Sequence, residues 1–532
     1  MTGKKKRDSA RHSKGTSPGA FPVPQFLLGN RIPLIVSALY FFVMCVSAFT
    51  YHKIGDYGVE TDFYWTYCPQ ARSILGGILE VDQFKGPGYE FVLSLVKWLA
   101  GDFFRAGMLI SLFSASTVLY VSYKLVAKYF NPESALIVTI ALVTNFTFLK
   151  YSYTTGTDMF FNMLAVLVLF FLLRSTELNL WELAVAGVLT GYAYITRYNA
   201  VSFYVAAAIG LILVNHKKIP LKQRLIGMGV FIAASLVFVV PWSLYCHRVT
   251  GSYFYNNNFS NIAFEMFGKG KMSWDEFWWK MSGKFGSYFD VIAYNPGAFF
   301  QQLATNAWQH FWNDLTLLVE LPLGIFAIGG MVAFVDRKID RFQAMYFIFG
   351  VAFYLVLLPV FYGERFSLFL APMILLLSAA FFQWPRIPTI GFARFGLKHI
   401  VLIVVLFIAG RTAIERVSDD IDSGPSEILQ VRDAFLQHTP GNQAGKTIMA
   451  RKPHAAYYLD MKFVPFAYVN SIEELLDQCK KQHAEYLFYS GIEAGLRPQF
   501  SYLLDPTRAP KQLQPVVQVY NPPAVLYELK FE

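Results

Sequence analysis

Apolar residues along the first three quarters of the chain gather into long runs, separated by short polar connections. The runs fall at 32–51, 104–127, 132–149, 158–174, 180–196, 199–214, 225–245, 314–335, 342–361, 365–383 and 399–412. Each is long enough to cross, or nearly cross, a hydrocarbon layer of about 30 Å as a helix, which needs roughly 20 residues. From residue 413 the pattern changes. Turn signals (SGPS, HTPGN, NPP) bracket an amphipathic run SIEELLDQCKKQ (471–482) and strand-like runs KTIMA, AEYLFYS and AVLYELKF. That mixture predicts a small α/β unit. The fold class expected is a polytopic α-helical membrane protein of about 11 spans with a C-terminal α/β domain.

Composition agrees with this pattern: 55% of the 532 residues are hydrophobic and only 15% charged, against about 25% in soluble chains. Disordered, collagen-like and disulfide-scaffold chains are thereby excluded. The net charge of +10 forms no continuous stripe, so nucleic acid is not an expected partner. Instead Lys and Arg concentrate in alternate connections: KKKRDSARHSK from Lys4, NHKKIPLKQR (215–224), DRKIDR (336–341) and PRIPTIGFARFGLK (385–398). By the positive-inside rule these are cytoplasmic. The basic tail 1–31 is then inside, and the loops 51–103 and 246–313 and the tail 413–532 are outside. The basic stretch before the first run is long and the run exceeds a usual signal core, so an uncleaved first span in the inner (cytoplasmic) membrane is expected. Cys45, Cys68, Cys246 and Cys479 form no CxxC pair.

The outer connections carry the chemistry. The first reads GDYGVETDFYWTYCPQARSILGGILEVDQFKGPGYEFVLSLVKWLAGD (55–102), with amphipathic segments at 63–76 and 88–99. It holds Glu60, Asp62, Arg72, Asp82 and Lys85, the last followed by a Gly86-Pro87-Gly88 turn. KYSYTTGTD ends in Asp158 at the mouth of a span, ITRYNA holds Arg197, and FYGERFSLFLAP holds Glu364 and Arg365. Carboxylates and cations from four distant places thus meet on one side of the membrane. Plainer roles compete: Asp62 and Asp158 as N-caps, Arg197 and Arg365 as snorkelling or paired cations, Lys85 as a solvated charge, and Glu60 and Asp82 as surface residues. His52, His247 and His310 lack metal-ligand spacing.

These pieces, ETDFYWTYCPQARSILGG, FKGPGYEF, TGTDMFF, GVLTGYAYITRYNA, VVPWSLYCHRVTGSYFYNN and ERFSLFLAP, resemble the GT-C superfamily of integral-membrane glycosyltransferases. The nearest likeness is the bacterial branch related to protein O-mannosyltransferases and the lipid A aminoarabinose transferase, over about residues 55–260 and 360–375. The resemblance implies Asp62 as catalytic carboxylate and Asp158 as the second-loop aspartate. It also implies Lys85 and Arg365 at a lipid phosphate; the chemistry of the loops adds Arg197 as a further cation there, and Glu60 and Arg72 as accessory candidates. Phe63 and Phe84 stand where relatives carry acidic residues, so a bound divalent metal is not supported. The implied donor is a polyprenyl-phosphate sugar; glycan, lipid and protein acceptors stay open. A phosphate leaving group needs positive charge rather than a general acid, and the acceptor needs one base. That kit suits a single inverting displacement. A transporter would place its ionisable residues near the midplane, and a lipid-binding scaffold would leave them scattered.

Overall fold

The computed structural model describes residues 29, 31–175, 178–214, 219–337, 339–387, 396–439, 441 and 443–531. Most of the basic tail 1–31 lies outside the described residues.

Every apolar run falls on helix. Helix α1 (Ile32–Tyr51) precedes the first long loop, where a π-helical turn (Phe63–Tyr67) runs into α2 (Cys68–Leu75), followed by α3 (Gly88–Ala100). Then come α4 (Phe103–Tyr129), α5 (Pro132–Val143), α6 (Phe146–Tyr153), α7 (Thr157–Arg174), α8 (Leu180–Thr196), α9 (Val201–Ala208) and α10 (Leu221–Thr250). The second long loop holds α11 (Phe259–Ala263), α12 (Trp274–Lys280), α13 (Tyr288–Tyr294) and α14 (Pro296–Asn313). The remaining apolar helices are α15 (Leu321–Val335), α16 (Arg341–Leu357), the short α17 (Glu364–Ser367) leading into α18 (Ala371–Phe382), and α19 (Leu397–Asp422). Among the described residues, six helical segments are long and apolar enough to cross a membrane, and four apolar helices are shorter.

Local sequence explains many of the ends. Asp102 accepts a hydrogen bond from the Arg105 backbone N–H to start α4, and Asn131, followed by Pro132, accepts from Ser134 N–H to start α5. Asp340 and Gln343 form a reciprocal capping box at α16.

Two runs expected as continuous are broken. The run 132–149 bends by 64° between α5 and α6. The run 314–335 divides at Val319–Glu320, where Glu320 has φ +67°. The breaks face and satisfy each other: Asn145 Nδ2 donates to the Leu318 carbonyl (2.9 Å) and Phe146 N–H donates to Glu320 Oε1 (3.1 Å). Backbone groups freed inside an apolar layer need such partners, and here each break supplies the other's.

The tail is a five-stranded sheet in the order β2-β1-β3-β5-β4, with β1 (Thr447–Ala450), β2 (Lys462–Pro465), β3 (Tyr486–Ser490), β4 (Leu513–Tyr520) and β5 (Pro523–Leu529). β1 is parallel to β2 and β3, and β5 is antiparallel to β3 and β4. Helices α20 (Ser426–His438), α21 (His454–Tyr458), α22 (Ile472–Lys481) and α23 (Gly491–Leu496) complete it. Its two apolar clusters bury Phe435, Ile448, Phe488 and Leu526 on one side and Leu475, Leu487, Phe500 and Tyr527 on the other.

Candidate active site at the loop end of the bundle

Four of the predicted residues meet in one place. Asp158 lies in the first turn of α7 and Arg197 caps the C-terminus of α8, so the antiparallel pair brings them together. They form a close ion pair, with the Asp158 side chain 7% exposed. Arg365 enters from α17 and approaches Asp62 of the first loop, Nη1 to Oδ2, at 3.5 Å. The guanidinium of Arg197 also lies over the Phe366 ring, 5.2 Å from its centre, which couples the two pairs. Tyr67 bridges further: its hydroxyl is 3.2 Å from Thr157 Oγ1, beside Asp158, while its ring carries the Lys85 ammonium at 4.5 Å.

Neither aspartate is a cap. Asp62 has helical backbone angles and accepts no capping hydrogen bond, and α7 is preceded by Gly156 rather than Asp158. Asp62 is the open member, with its side chain 55% exposed. Arg365 is the less committed cation. Among the described residues its one hydrogen-bond partner is Asp62, at the limit of hydrogen-bond length.

Lys85 is not a solvated loop charge. It is buried, paired with Glu90, donates to Gln70 Oε1 at 2.7 Å, and has Asp82 at 3.9 Å. Asp82 and Glu90 share this burial, so neither is a surface residue. Burial pushes the Glu90 carboxyl up, against the opposing pull of Lys85. The glycines of the Lys85 turn have a tertiary reason. A Cβ on Gly86 would stand 2.3 Å from the Ile195 carbonyl oxygen, and one on Gly88 would stand 2.4 Å from Thr196 Oγ1. The loop is therefore pressed onto the end of α8, one residue before Arg197. From the other side Asn258 Nδ2 donates to the Phe84 carbonyl (2.8 Å) and Asn257 N–H to that of Gln83 (2.7 Å). Those asparagines escaped the sequence reading, because an Asn-rich loop names no partner.

Glu60, expected at the surface, is 1% exposed. His52 Nε2 lies 3.1 Å from both carboxylate oxygens, and the Asp56 and Thr155 N–H groups donate at 2.9 and 2.6 Å. Burial pushes this carboxyl up, but the His52 charge and these hydrogen bonds outweigh it and hold the pKa below its ordinary value. Burial pulls His52 down, and Glu60 more than reverses this, leaving the imidazole above its ordinary range. Glu60 thus ties the start of the Asp62 segment to the α6–α7 turn. Arg72 lies apart from the cluster and pairs with Asp460 of the tail at 3.4 Å, both exposed.

The tail grips the same segment. His454 Nε2 is 2.9 Å from the Asp56 carbonyl oxygen, its ring 4.3 Å from Tyr64, and Tyr57 donates to Glu427 at 2.6 Å. Burial holds His454 down at about 4. Among the described residues no three His, Cys, Asp or Glu side chains are grouped to hold a metal.

Comparison with known proteins bears on what such an arrangement serves. The family described as dolichyl-phosphate-mannose-protein mannosyltransferase matches residues 84–245. ArnT from Cupriavidus metallidurans, solved with undecaprenyl phosphate, superposes with a TM-score of 0.56 at 12% identity, covering 94% of this chain and 98% of that one. The chain has the GT-C glycosyltransferase fold. AglB from Archaeoglobus fulgidus, an archaeal oligosaccharyltransferase solved with an inhibitory peptide and a dolichol-phosphate, shares the GT-C fold with a TM-score of 0.54 at 12% identity. The alignment covers 87% of this chain and 70% of that one. No curated protein sequence matches the chain. A mostly helical chain with long apolar helices and a small C-terminal sheet domain is what the apolar runs and tail pattern predict, and the GT-C fold is what the resemblance implies.

Proposed function

We propose that this protein is a glycosyltransferase that moves a sugar from a polyprenyl-phosphate donor to an acceptor at the outer face of the inner membrane. The observation that carries the reading is Arg365, whose side chain is 22% exposed, whose guanidinium lies over the Phe366 ring and whose hydrogen-bond partner among the described residues is Asp62 at 3.5 Å. Its remaining N–H groups suit a phosphate, which guanidinium binds with paired hydrogen bonds. It stands at a helix end where a lipid tail can stay in the bilayer while its phosphate reaches the site. Loop charge supports an outward-facing site, with the N-terminus in the cytoplasm and the tail outside.

In the proposed reaction Asp62 accepts the proton of the acceptor hydroxyl or amine as that atom attacks the anomeric carbon. The bond from that carbon to the phosphate oxygen breaks, and the phosphate leaves with its electron pair against Arg365. A single displacement inverts the anomeric centre. Asp158 serves to hold Arg197 over Phe366, next to Arg365. Lys85, already neutralised by Glu90, contributes as a fixed dipole beside Tyr67 rather than as a free charge.

The test uses full-length protein in lipid vesicles with labelled polyprenyl-phosphate sugars and an envelope extract. Wild type is expected to transfer label. Arg365→Ala is expected to raise the donor concentration for half-maximal rate at least tenfold. Transfer by Arg365→Ala with unchanged donor dependence would remove it from the site, and no transfer by wild type with any donor would refute the reading.

A further inference from the structure

Asp62, Trp65, Pro69 and Arg72 are the exposed positions between residues 61 and 72. Asp62 precedes the π-helical turn, Trp65 lies within it three residues on, and Pro69 and Arg72 lie three apart on the same side of α2. Trp65 is 42% exposed, large for an indole in a packed loop.

An interfacial tryptophan in a membrane protein is ordinarily part of a lipid-facing belt. Trp65 has a different neighbour. Its ring meets Phe463 of strand β2 at 5.0 Å and 68°, edge to face. Phe463 belongs to the sheet domain, whose Asp460 also pairs with Arg72 at 3.4 Å. These exposed positions therefore lie where the first outer loop meets the tail, with the Trp65–Phe463 aromatic pair between the Asp62 carboxylate and the exposed Arg72–Asp460 ion pair.

We propose that Trp65 and Phe463 form an acceptor subsite for a carbohydrate, so that the acceptor is a glycan or the sugar headgroup of a glycolipid. The inference rests on the glycosyl-transfer reading above. A pyranose ring presents a C–H face, which the negative face of an indole attracts, and a rim of hydroxyls. The exposed residues offer the same combination: a ring face on Trp65, a carboxylate at Asp62 for one hydroxyl, and Arg72 and Asp460 for others. A polypeptide acceptor would use the free edge of β2 by strand addition. That edge is only four residues long, opens with the exposed Lys462 and closes on Pro465, the features that blunt a sheet edge. The edge therefore disfavours a peptide.

The experiment follows transfer of labelled polyprenyl-phosphate sugar by full-length protein in vesicles, titrating an envelope extract as acceptor. Trp65→Ala is expected to raise the extract concentration for half-maximal transfer at least tenfold, with the donor concentration for half-maximal rate changed less than twofold. Trp65→Tyr is expected to restore the acceptor dependence to within threefold, which a merely structural role would not require. Phe463→Leu is expected to weaken the acceptor dependence in the same direction and by less. Labelled product is expected to resist protease. Label in protease-digestible material, or an unchanged acceptor dependence in Trp65→Ala, would overturn the carbohydrate subsite and leave the glycosyltransferase reading intact. Absence of transfer by wild type would overturn both.

Discussion

Asp62→Asn removes one charge and almost no volume, so its consequences separate cleanly into chemistry and folding. On the folding side little is at stake. The Asp62–Arg365 contact is 3.5 Å long with the Asp62 side chain 55% exposed, and exposed ion pairs contribute about 0.2–1 kcal/mol. No capping hydrogen bond is lost, since Asp62 makes none. Unfolding temperature should therefore stay within the range that about 1 kcal/mol produces. On the chemical side, losing a general base lowers the rate by roughly 10²–10⁴, equivalent to about 2.7–5.4 kcal/mol of barrier. Donor half-saturation should be unchanged or slightly lower, because removing the carboxylate leaves Arg365 freer for the phosphate. The assay is labelled transfer at saturating donor, with thermal unfolding in the same detergent or vesicle. Asp158→Asn is the contrasting control. Its partner Arg197 is 17% exposed and the pair is nearly enclosed, so breaking it is expected to cost about 3–5 kcal/mol of stability. A stable Asp62→Asn protein with transfer within tenfold of wild type would refute the assignment of Asp62 as base.

Gly88→Ala should lower stability or misplace the Lys85 turn, because the added methyl meets Thr196 Oγ1 at 2.4 Å; a normal unfolding temperature together with normal transfer would contradict the close-packing argument. The Glu60–His52 pair predicts a two-sided pH profile. With the Glu60 pKa lowered from 4.5, its contribution is present above that value and is lost as pH falls through the folded pKa. With the His52 pKa raised from 6.5, its contribution is complete below that value and is lost as pH rises through the folded pKa. Thermal unfolding of Glu60→Gln across pH 4 to 9 should flatten both limbs relative to wild type. His454, held down at about 4 from an ordinary 6.5, stays neutral in the folded state while the unfolded chain takes up a proton. Stability of the tail contact should therefore fall as pH drops from about 6.5 toward 4, read as increased proteolysis between α19 and β1. For topology, a cysteine at Asn470 should label in intact cells from outside and one at Lys222 should not; the reverse would invert the orientation.

The apolar runs by themselves determined where helices form, because a segment in lipid must satisfy its own backbone and cover it with apolar side chains, a requirement written along one dimension. The periodicity of the tail likewise announced α22, β1, β3 and β5. It did not single out β2 or β4, since KFVP is too short and LQPVVQVY carries a proline at the register shift. Candidate residues Asp62, Asp158, Arg197 and Arg365 were legible because charges at helix ends beside a membrane are costly and few. Their pairing was not. Which cation takes which carboxylate depends on the antiparallel contact of α7 with α8 and on α17 reaching the first loop. The burial of Lys85 by Glu90, the latch at Glu60, the mutual repair of the broken helices at Asn145 and Glu320, and the tail's hold on Tyr57 and Tyr64 were also decided in three dimensions. In each case the deciding energy is that of a buried polar group finding its partner, and the partner lies up to about 400 positions away in the chain, as Asp56 and His454 do.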